Sequence, residues 1–141
     1  MKSLKSLSKI RSDLSFCNNY WAVVYGSYLN KEWIPERSDI DIAIITRTKN
    51  RQRNFEIWSN LLDKIPFNYD LRIFELMPLY LQIEITQTYR VLFGDPLEIS
   101  EYFYNYRIIW KDMVNRYKSN QFHSLKEKLD LIENRKQFIE I

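Results

Sequence analysis

The sequence lacks the features that mark secreted, membrane-spanning and disordered chains. Of its 141 residues only Cys17 is a cysteine, so no intrachain disulfide can form and a cytoplasmic location is expected. No run approaches the ~18–20 apolar residues of a membrane span, and residues 1–16 contain no apolar segment of signal-peptide length. With 45% hydrophobic and 28% charged residues, the chain should fold around a core as one domain.

The chain also has a small net charge and few glycines. The formal net charge of +3 permits contact with nucleotides or RNA but does not argue for a nucleic-acid partner, because such proteins usually concentrate basic residues on one face. Only two glycines are present, so each is expected to stand where the backbone requires it.

The apolar pattern predicts an α/β (α+β) domain with a small mixed sheet flanked by helices. Alternating and β-branched runs predict strands at residues 20–25, 39–46, 68–76 and 90–93. Helical spacing predicts helices at 2–15, 28–33, 55–65 and 78–89, and two more at 98–118 and 123–138. The expected domain covers residues 1–141, with a core at 15–96 and a helical C-terminal extension at 97–141.

Three aspartates and a Gly-Ser pair form the informative constellation. Gly26-Ser27 follows the first strand, Asp39-Ile40-Asp41 opens the second, and Asp70 stands on the next. Side chains alternate along a strand, so Asp39 and Asp41 face the same way, roughly 6.6 Å apart. Carboxylates with substrate phosphates suit magnesium, and a third carboxylate would complete a two-metal site. Backbone N–H groups after Gly26 could meet a phosphate.

Each part of this constellation has a plainer interpretation. Asp39 and Asp41 could be acids that open a strand, and Asp70 could be an ordinary acid at a strand edge. Ser27 could simply cap a helix, which is compatible with phosphate binding, and Ser38 could be a turn residue.

The motifs between residues 20 and 95 resemble the minimal nucleotidyltransferase (MNT) family of the DNA polymerase β superfamily. The segment 90–96 looks like the family's closing strand and turn. The resemblance implies transfer of a nucleoside monophosphate, usually AMP, from a triphosphate, with ATP expected, to an acceptor hydroxyl. It also implies two Mg²⁺ ions held by Asp39, Asp41 and Asp70, with Asp70 activating the hydroxyl. Gly26, Ser27 and Ser38 are then expected to contact the triphosphate.

The sequence departs from the family pattern directly after Ser27. Tyr28-Leu-Asn-Lys31 replaces the usual run of small residue, arginine and glycine, and the spacer before Asp39 is one residue longer than is common. Lys31 and Arg37 are candidates to replace the missing arginine.

Three kinds of function fit this resemblance. The first is an active, metal-dependent nucleotidyltransferase with an external acceptor, for which a partner protein is a candidate. The second is an antitoxin or binding module that neutralises a helical HEPN-type toxin, and the aromatic-rich C-terminal helices are its candidate interface. The third is an enzyme that modifies a small molecule, for which 141 residues leave little room for an acceptor domain. A homo-oligomer is compatible with each, and the acceptor and nucleobase preference are not predicted.

Overall fold

The computed structural model describes residues 6–29 and 39–139. Its helices are α1 Leu7–Asp13, α2 Arg51–Leu62, α3 Leu79–Gln87 and α4 Pro96–Ile139, and its strands are β1 Trp21–Tyr25, β2 Ile40–Ile45, β3 Tyr69–Ile73 and β4 Arg90–Phe93. Single turns of 3-10 helix occupy Ser15–Cys17, Gly26–Leu29 and Phe74–Leu76. Within the described ranges, no helix is both long and apolar enough to cross a membrane.

The four strands form one mixed sheet in the order β3-β2-β1-β4. β1 pairs antiparallel with β2 and β4, whereas β2 and β3 run parallel. β2 is therefore central, as its β-branched, apolar second half predicts. Ile40, Ile42 and Ile44 lie on one face of the sheet, while Ala43 and Ile45 lie on the other.

Helices cover both faces of the sheet. On the face of Ile42, α1 contributes Ile10 and Leu14 and α2 contributes Leu61. On the opposite face, Ile85 of α3 and Phe103 of α4 complete a second apolar cluster. Each face thus buries one core layer, which confirms the predicted α/β architecture with a mixed sheet flanked by helices.

Several predicted boundaries are wrong. α2 ends at Leu62 rather than residue 65, and β3 ends at Ile73 rather than residue 76, because residues 74–76 form a 3-10 turn. α2 begins at Arg51 rather than residue 55, because the Asn50 side chain caps it by accepting a hydrogen bond from Arg53 N at 3.1 Å. The predicted helix at 28–33 is replaced at its start by the 3-10 turn Gly26–Leu29, and its remaining residues lie outside the described ranges. Ser27 lies inside this turn and not at a helix N-cap.

The two helices predicted near the C-terminus are one continuous helix, α4. No glycine or proline follows Pro96, so nothing in residues 97–141 breaks the helix. The chain divides into two compact units, one ending at Tyr106 and one beginning at Arg107. The assignment of all 141 residues to one domain stays a prediction.

Candidate functional site

Asp41 lies on the central strand β2 between two strands that place a polar side chain beside it. The pairing registers set Asp41 opposite Tyr25 on β1 and opposite Asp70 on β3. Residues paired laterally in a sheet project from the same face, and neighbouring strands lie about 4.8 Å apart. The two strands therefore bring Asp41 and Asp70 next to each other, and both side chains are half-buried.

Asp39 lies just before β2, on the same side as Asp41, and its side chain is exposed. The pKa of Asp41 is raised to about 6, first by burial and then by the nearby charges of Asp70 and Asp39, while Arg72 acts in the opposite direction. The negative charges of Asp70 and Asp39 thus disfavour the ionised form of Asp41.

Arg72 shares this site with Asp70. Its guanidinium Nη2 lies 3.2 Å from Asp70 Oδ2, and its Nε donates a hydrogen bond to Asp70 Oδ1 at 3.5 Å. In the described part of the chain, no three carboxylate, imidazole or thiol side chains are grouped closely enough to hold a metal ion. Metal binding by Asp39, Asp41 and Asp70 therefore stays a prediction.

Gly26 stands directly against the Asp41 carboxylate. Its φ is +76°, a region that favours glycine, and a Cβ at this position would lie 2.5 Å from Asp41 Oδ2. Only glycine leaves this space beside the carboxylate open. The backbone therefore requires a glycine at position 26, as its scarcity in the sequence predicted. The other candidate phosphate contacts, Ser38, Lys31 and Arg37, lie outside the described residues.

A cavity of about 420 Å³ opens at this point, in the size range of ligand pockets. It is called the Gly26 cavity below. Its walls are formed by Gly26, Asp41 and side chains of α3, and it contains a second acid, Glu84, and a hydroxyl, Thr88. The sequence motifs did not identify these α3 residues, because nothing in their spacing connects them to the Asp-x-Asp strand.

Tyr25 and Arg72 are the other site residues that sequence reasoning missed. Arg72 could have been found, since it stands two residues after Asp70 and hence on the same face of the predicted strand. Tyr25 depends on the antiparallel register with Asp41, which no local pattern specifies. Burial and the charge of Asp41 raise the pKa of the Tyr25 phenol, so it stays protonated near neutral pH.

A family model described as "Polymerase beta, Nucleotidyltransferase" matches residues 14–96. The chain is 43% identical over 109 residues to a protein of Methanocaldococcus jannaschii named "Putative protein adenylyltransferase", covering 77% of this chain and 84% of that relative.

Two solved structures share the fold at low sequence identity. One is a mutant of the toxin–antitoxin pair MntA-HpeT, with a TM-score of 0.59 and 17% identity over 82% of this chain and 94% of that chain. The other is a complex of a tri-AMPylated Shewanella oneidensis HEPN toxin with an MNT antitoxin, with a TM-score of 0.53 and 16% identity over 80% of this chain and 90% of that chain.

Proposed function

Because this chain belongs to the polymerase beta nucleotidyltransferase family, we propose that it transfers AMP from ATP to a hydroxyl group of a partner protein. The observation that carries the proposal is the lateral pairing of Asp41 with Asp70 beside a glycine that leaves room at the Asp41 carboxylate. The name of the M. jannaschii relative supports AMP as the transferred group and a protein as the acceptor.

The donor set at the site fits divalent metal ions. Asp39, Asp41 and Asp70 offer only carboxylate oxygens, which Mg²⁺ prefers. The pKa of Asp41 is raised first by burial and then by the charge of Asp70, and a bound cation would offset both costs of ionisation. We assign metal binding to these three residues, with Asp70 exchanging its Arg72 partner for the cation. When bound, the ions would stabilise the charge on the attacking and leaving oxygens of the displacement.

The other proposed roles belong to residues that contact the two substrates. Gly26 leaves space for the triphosphate against the Asp41 carboxylate, and Ser27 and Ser38 are proposed to donate hydrogen bonds to it. The acceptor oxygen attacks the α-phosphorus in line, the bond to the bridging oxygen breaks, and pyrophosphate leaves. Asp70 takes the proton of the acceptor hydroxyl. Catalysis would come from positioning and charge neutralisation.

The proposed partner is a helical HEPN-type toxin. Support comes from the two structural relatives, which are components of toxin–antitoxin complexes. The second unit of this chain also carries large apolar side chains that are exposed along one helix, namely Ile109, Met113, Tyr117, Leu125, Leu129 and Ile132. Within the groups 109–117 and 125–132 they are three or four residues apart, a spacing that suits packing against another helix.

Label transfer tests the enzymatic proposal. The chain is co-expressed with a candidate HEPN-type toxin, and the complex is incubated with α-labelled ATP and Mg²⁺. We expect label on the partner with the parent chain and none with Asp41→Asn. Asp63→Asn is the matched control, since Asp63 is exposed at the end of α2. Absence of label in the parent, or equal labelling by Asp41→Asn, would contradict catalysis.

The exposed apolar side chains of the second unit favour a second candidate, an antitoxin that acts by binding alone. In that case Asp41→Asn should still protect cells that express the toxin, and Met113→Asp should abolish protection. If the enzymatic proposal is correct, Asp41→Asn should fail to protect although the complex still forms in pull-down experiments.

A further inference from the structure

A second cavity, of about 380 Å³, opens beside the candidate site and is lined by side chains of α2, β3 and α3. It adjoins the Gly26 cavity, since Leu81 of α3 lines both. Within the described residues, the charged side chains that line the two cavities are three acids and a single cation, namely Asp41, Asp70, Glu84 and Arg72. A bound triphosphate would add further negative charge, so the position of Arg72 decides how much of that charge the chain itself can offset.

Arg72 engages both oxygens of the Asp70 carboxylate. Its Nη2 lies 3.2 Å from Asp70 Oδ2, and its Nε donates a 3.5 Å hydrogen bond to Asp70 Oδ1. Asp70 would hold a metal ion through the same oxygens, so the guanidinium and the cation compete for one carboxylate. The pair is partly exposed, with 52% of the Arg72 side chain and 35% of the Asp70 side chain accessible. Exposed ion pairs contribute a factor of about fivefold or less to an equilibrium constant, so a divalent cation can displace the guanidinium.

A displaced Arg72 would remain beside the Gly26 cavity. The positive charge of Arg72 acts to lower the pKa of both Asp41 and Tyr25, so the guanidinium lies close to these two side chains. Asp41 and Tyr25 both line the Gly26 cavity, in which the proposed function places the triphosphate. A guanidinium keeps its charge at any physiological pH, and its planar fork binds phosphate through two parallel hydrogen bonds.

We propose that Arg72 is a triphosphate-binding residue that becomes available when a metal ion binds Asp70. This inference rests on the proposed function. Cation binding at Asp70 frees the guanidinium, which then donates hydrogen bonds to phosphate oxygens of the nucleotide. The nucleotide in turn holds Arg72 away from Asp70. Metal and nucleotide therefore each strengthen the binding of the other, and Arg72 carries part of this coupling.

The Nε–H group of Arg72 reports this exchange directly. Its ¹H–¹⁵N signal in the full chain can be assigned as the one that is missing from Arg72→Lys. We expect Mg²⁺ to shift the signal, because the hydrogen bond to Asp70 is lost. An ATP analogue with a methylene group between the α- and β-phosphates should shift it again in the presence of Mg²⁺ and leave it unmoved in EDTA. A signal that Mg²⁺ does not move, or that the analogue does not move in the presence of Mg²⁺, would overturn the proposal.

The backbone amide signals of Asp41 and Asp70 separate this inference from the proposed function. If they respond to Mg²⁺ and to the analogue while the Arg72 signal does not, the metal and nucleotide site stands and the role of Arg72 is refuted. If they respond to neither ligand, the proposed function fails and the role of Arg72 fails with it. If all three signals respond as expected but no AMP is transferred, the reaction is contradicted and the binding role of Arg72 stands.

Arg72→Gln should change two affinities in opposite directions. By calorimetric titration, we expect Mg²⁺ to bind about twofold to fivefold more tightly without nucleotide, because the competitor for Asp70 is gone. In saturating Mg²⁺ the ATP analogue should bind at least about tenfold more weakly, because charge-assisted hydrogen bonds to phosphate are lost. A residue that only orients Asp70 would support both affinities, so parallel losses of Mg²⁺ and analogue binding would overturn the proposal.

Arg53→Gln is the matched control, because Arg53 is exposed on α2 and lines neither cavity. Both of its affinities should equal those of the parent. Half of the Arg72 side chain is exposed, so its replacement should leave the fold intact. If Arg53→Gln weakens analogue binding as much as Arg72→Gln does, the effect is one of net charge and the assignment to Arg72 is wrong.

Discussion

Carboxylates at the two ends of strand β2 differ in their surroundings: one end supplies hydrogen-bond donors and the other brings like charges together. Just beyond its C-terminal end, the single carboxylate of Glu75 accepts hydrogen bonds from Thr46 N at 2.9 Å, Thr46 Oγ1 at 3.2 Å, Arg47 N at 3.2 Å and Tyr102 OH at 2.8 Å. At its N-terminal end, the charges of Asp70 and Asp39 disfavour ionisation of the half-buried Asp41, and Arg72, which pairs with Asp70, offsets part of this cost.

The Glu75 end of the strand is expected to contribute to folding stability, and the Asp41 end to the proposed activity. The Glu75 end ties the turn at Arg47, whose φ is +64°, to the first turns of α4, so it stabilises the fold without a ligand. The Asp41 end holds like charges in a half-buried position, which costs free energy unless cations bind. Substitutions at the two ends should therefore move different measurements.

Replacing Asp41 at the functional end should have the largest effect. Asp41→Asn removes the charge of a proposed metal ligand without changing its shape, so we expect the proposed AMP transfer to fall at least about a hundredfold. Labelled transfer per folded molecule measures this loss. The corresponding substitution at the other end of the strand, Glu75→Gln, should leave the rate of AMP transfer per folded molecule within about twofold of the parent. Equal losses in both variants would erase the distinction between the two ends.

Gly26→Ala should damage both properties at once. The new Cβ would stand 2.5 Å from Asp41 Oδ2 at a φ of +76°, so we expect a loss of about 2–3 kcal/mol in the free energy of unfolding together with weaker ATP binding. Urea unfolding and ATP-analogue titration measure the two effects.

Gly94→Ala serves as the paired variant, because Gly94 also has a positive φ, +112°, and a Cβ there would lie 2.6 Å from Trp21 Cδ1. It should destabilise the fold to a similar degree while the remaining folded protein binds the ATP analogue normally. Undiminished ATP binding by Gly26→Ala would show that the space beside Asp41 does not receive the triphosphate.

Glu75→Gln should cost about 1–2 kcal/mol of folding free energy, because a neutral amide accepts these hydrogen bonds more weakly and turns an N–H₂ group toward one donor. Chemical denaturation measures the change. Glu56→Gln on the exposed face of α2 is the control and should be neutral. A neutral Glu75→Gln would mean that this network does not stabilise the turn.

The sequence predicted what depends on local pattern. The β-branched run at residues 40–45 identified the central strand, and the alternation around Asp70 identified the strand that pairs with it. The apolar spacing predicted two helices at 98–118 and 123–138, but the residues between them include no glycine or proline, and α4 is continuous.

What the sequence did not predict depends on register and on distant neighbours. The crowding of Asp41 by Gly26 follows from how strands align, not from local spacing. The ion pair of Asp70 with Arg72 is local, since the two residues lie two positions apart on β3. The Glu75 network joins residues that lie far apart in the chain. The roles of Asp39, Asp41, Asp70, Ser27 and Ser38 in binding and catalysis stay predictions.

The smallest expected effect is the pH dependence of stability at the Asp41 end. The pKa of Asp41 is about 6 in the folded chain against an ordinary value of 3.8, so the folded state holds this proton more tightly than the unfolded state does. The resulting stability is fully present below pH 3.8 and is lost as the pH rises through about 6. Asparagine does not titrate. In metal-free buffer above pH 6, Asp41→Asn should therefore be more stable than the parent by about 1 kcal/mol, and the gap should close toward pH 4. Urea unfolding at several pH values measures the gap. A parent that is the more stable protein at pH 8 without metal would show that the clustered carboxylates carry no cost, and the contrast with Glu75 would fail.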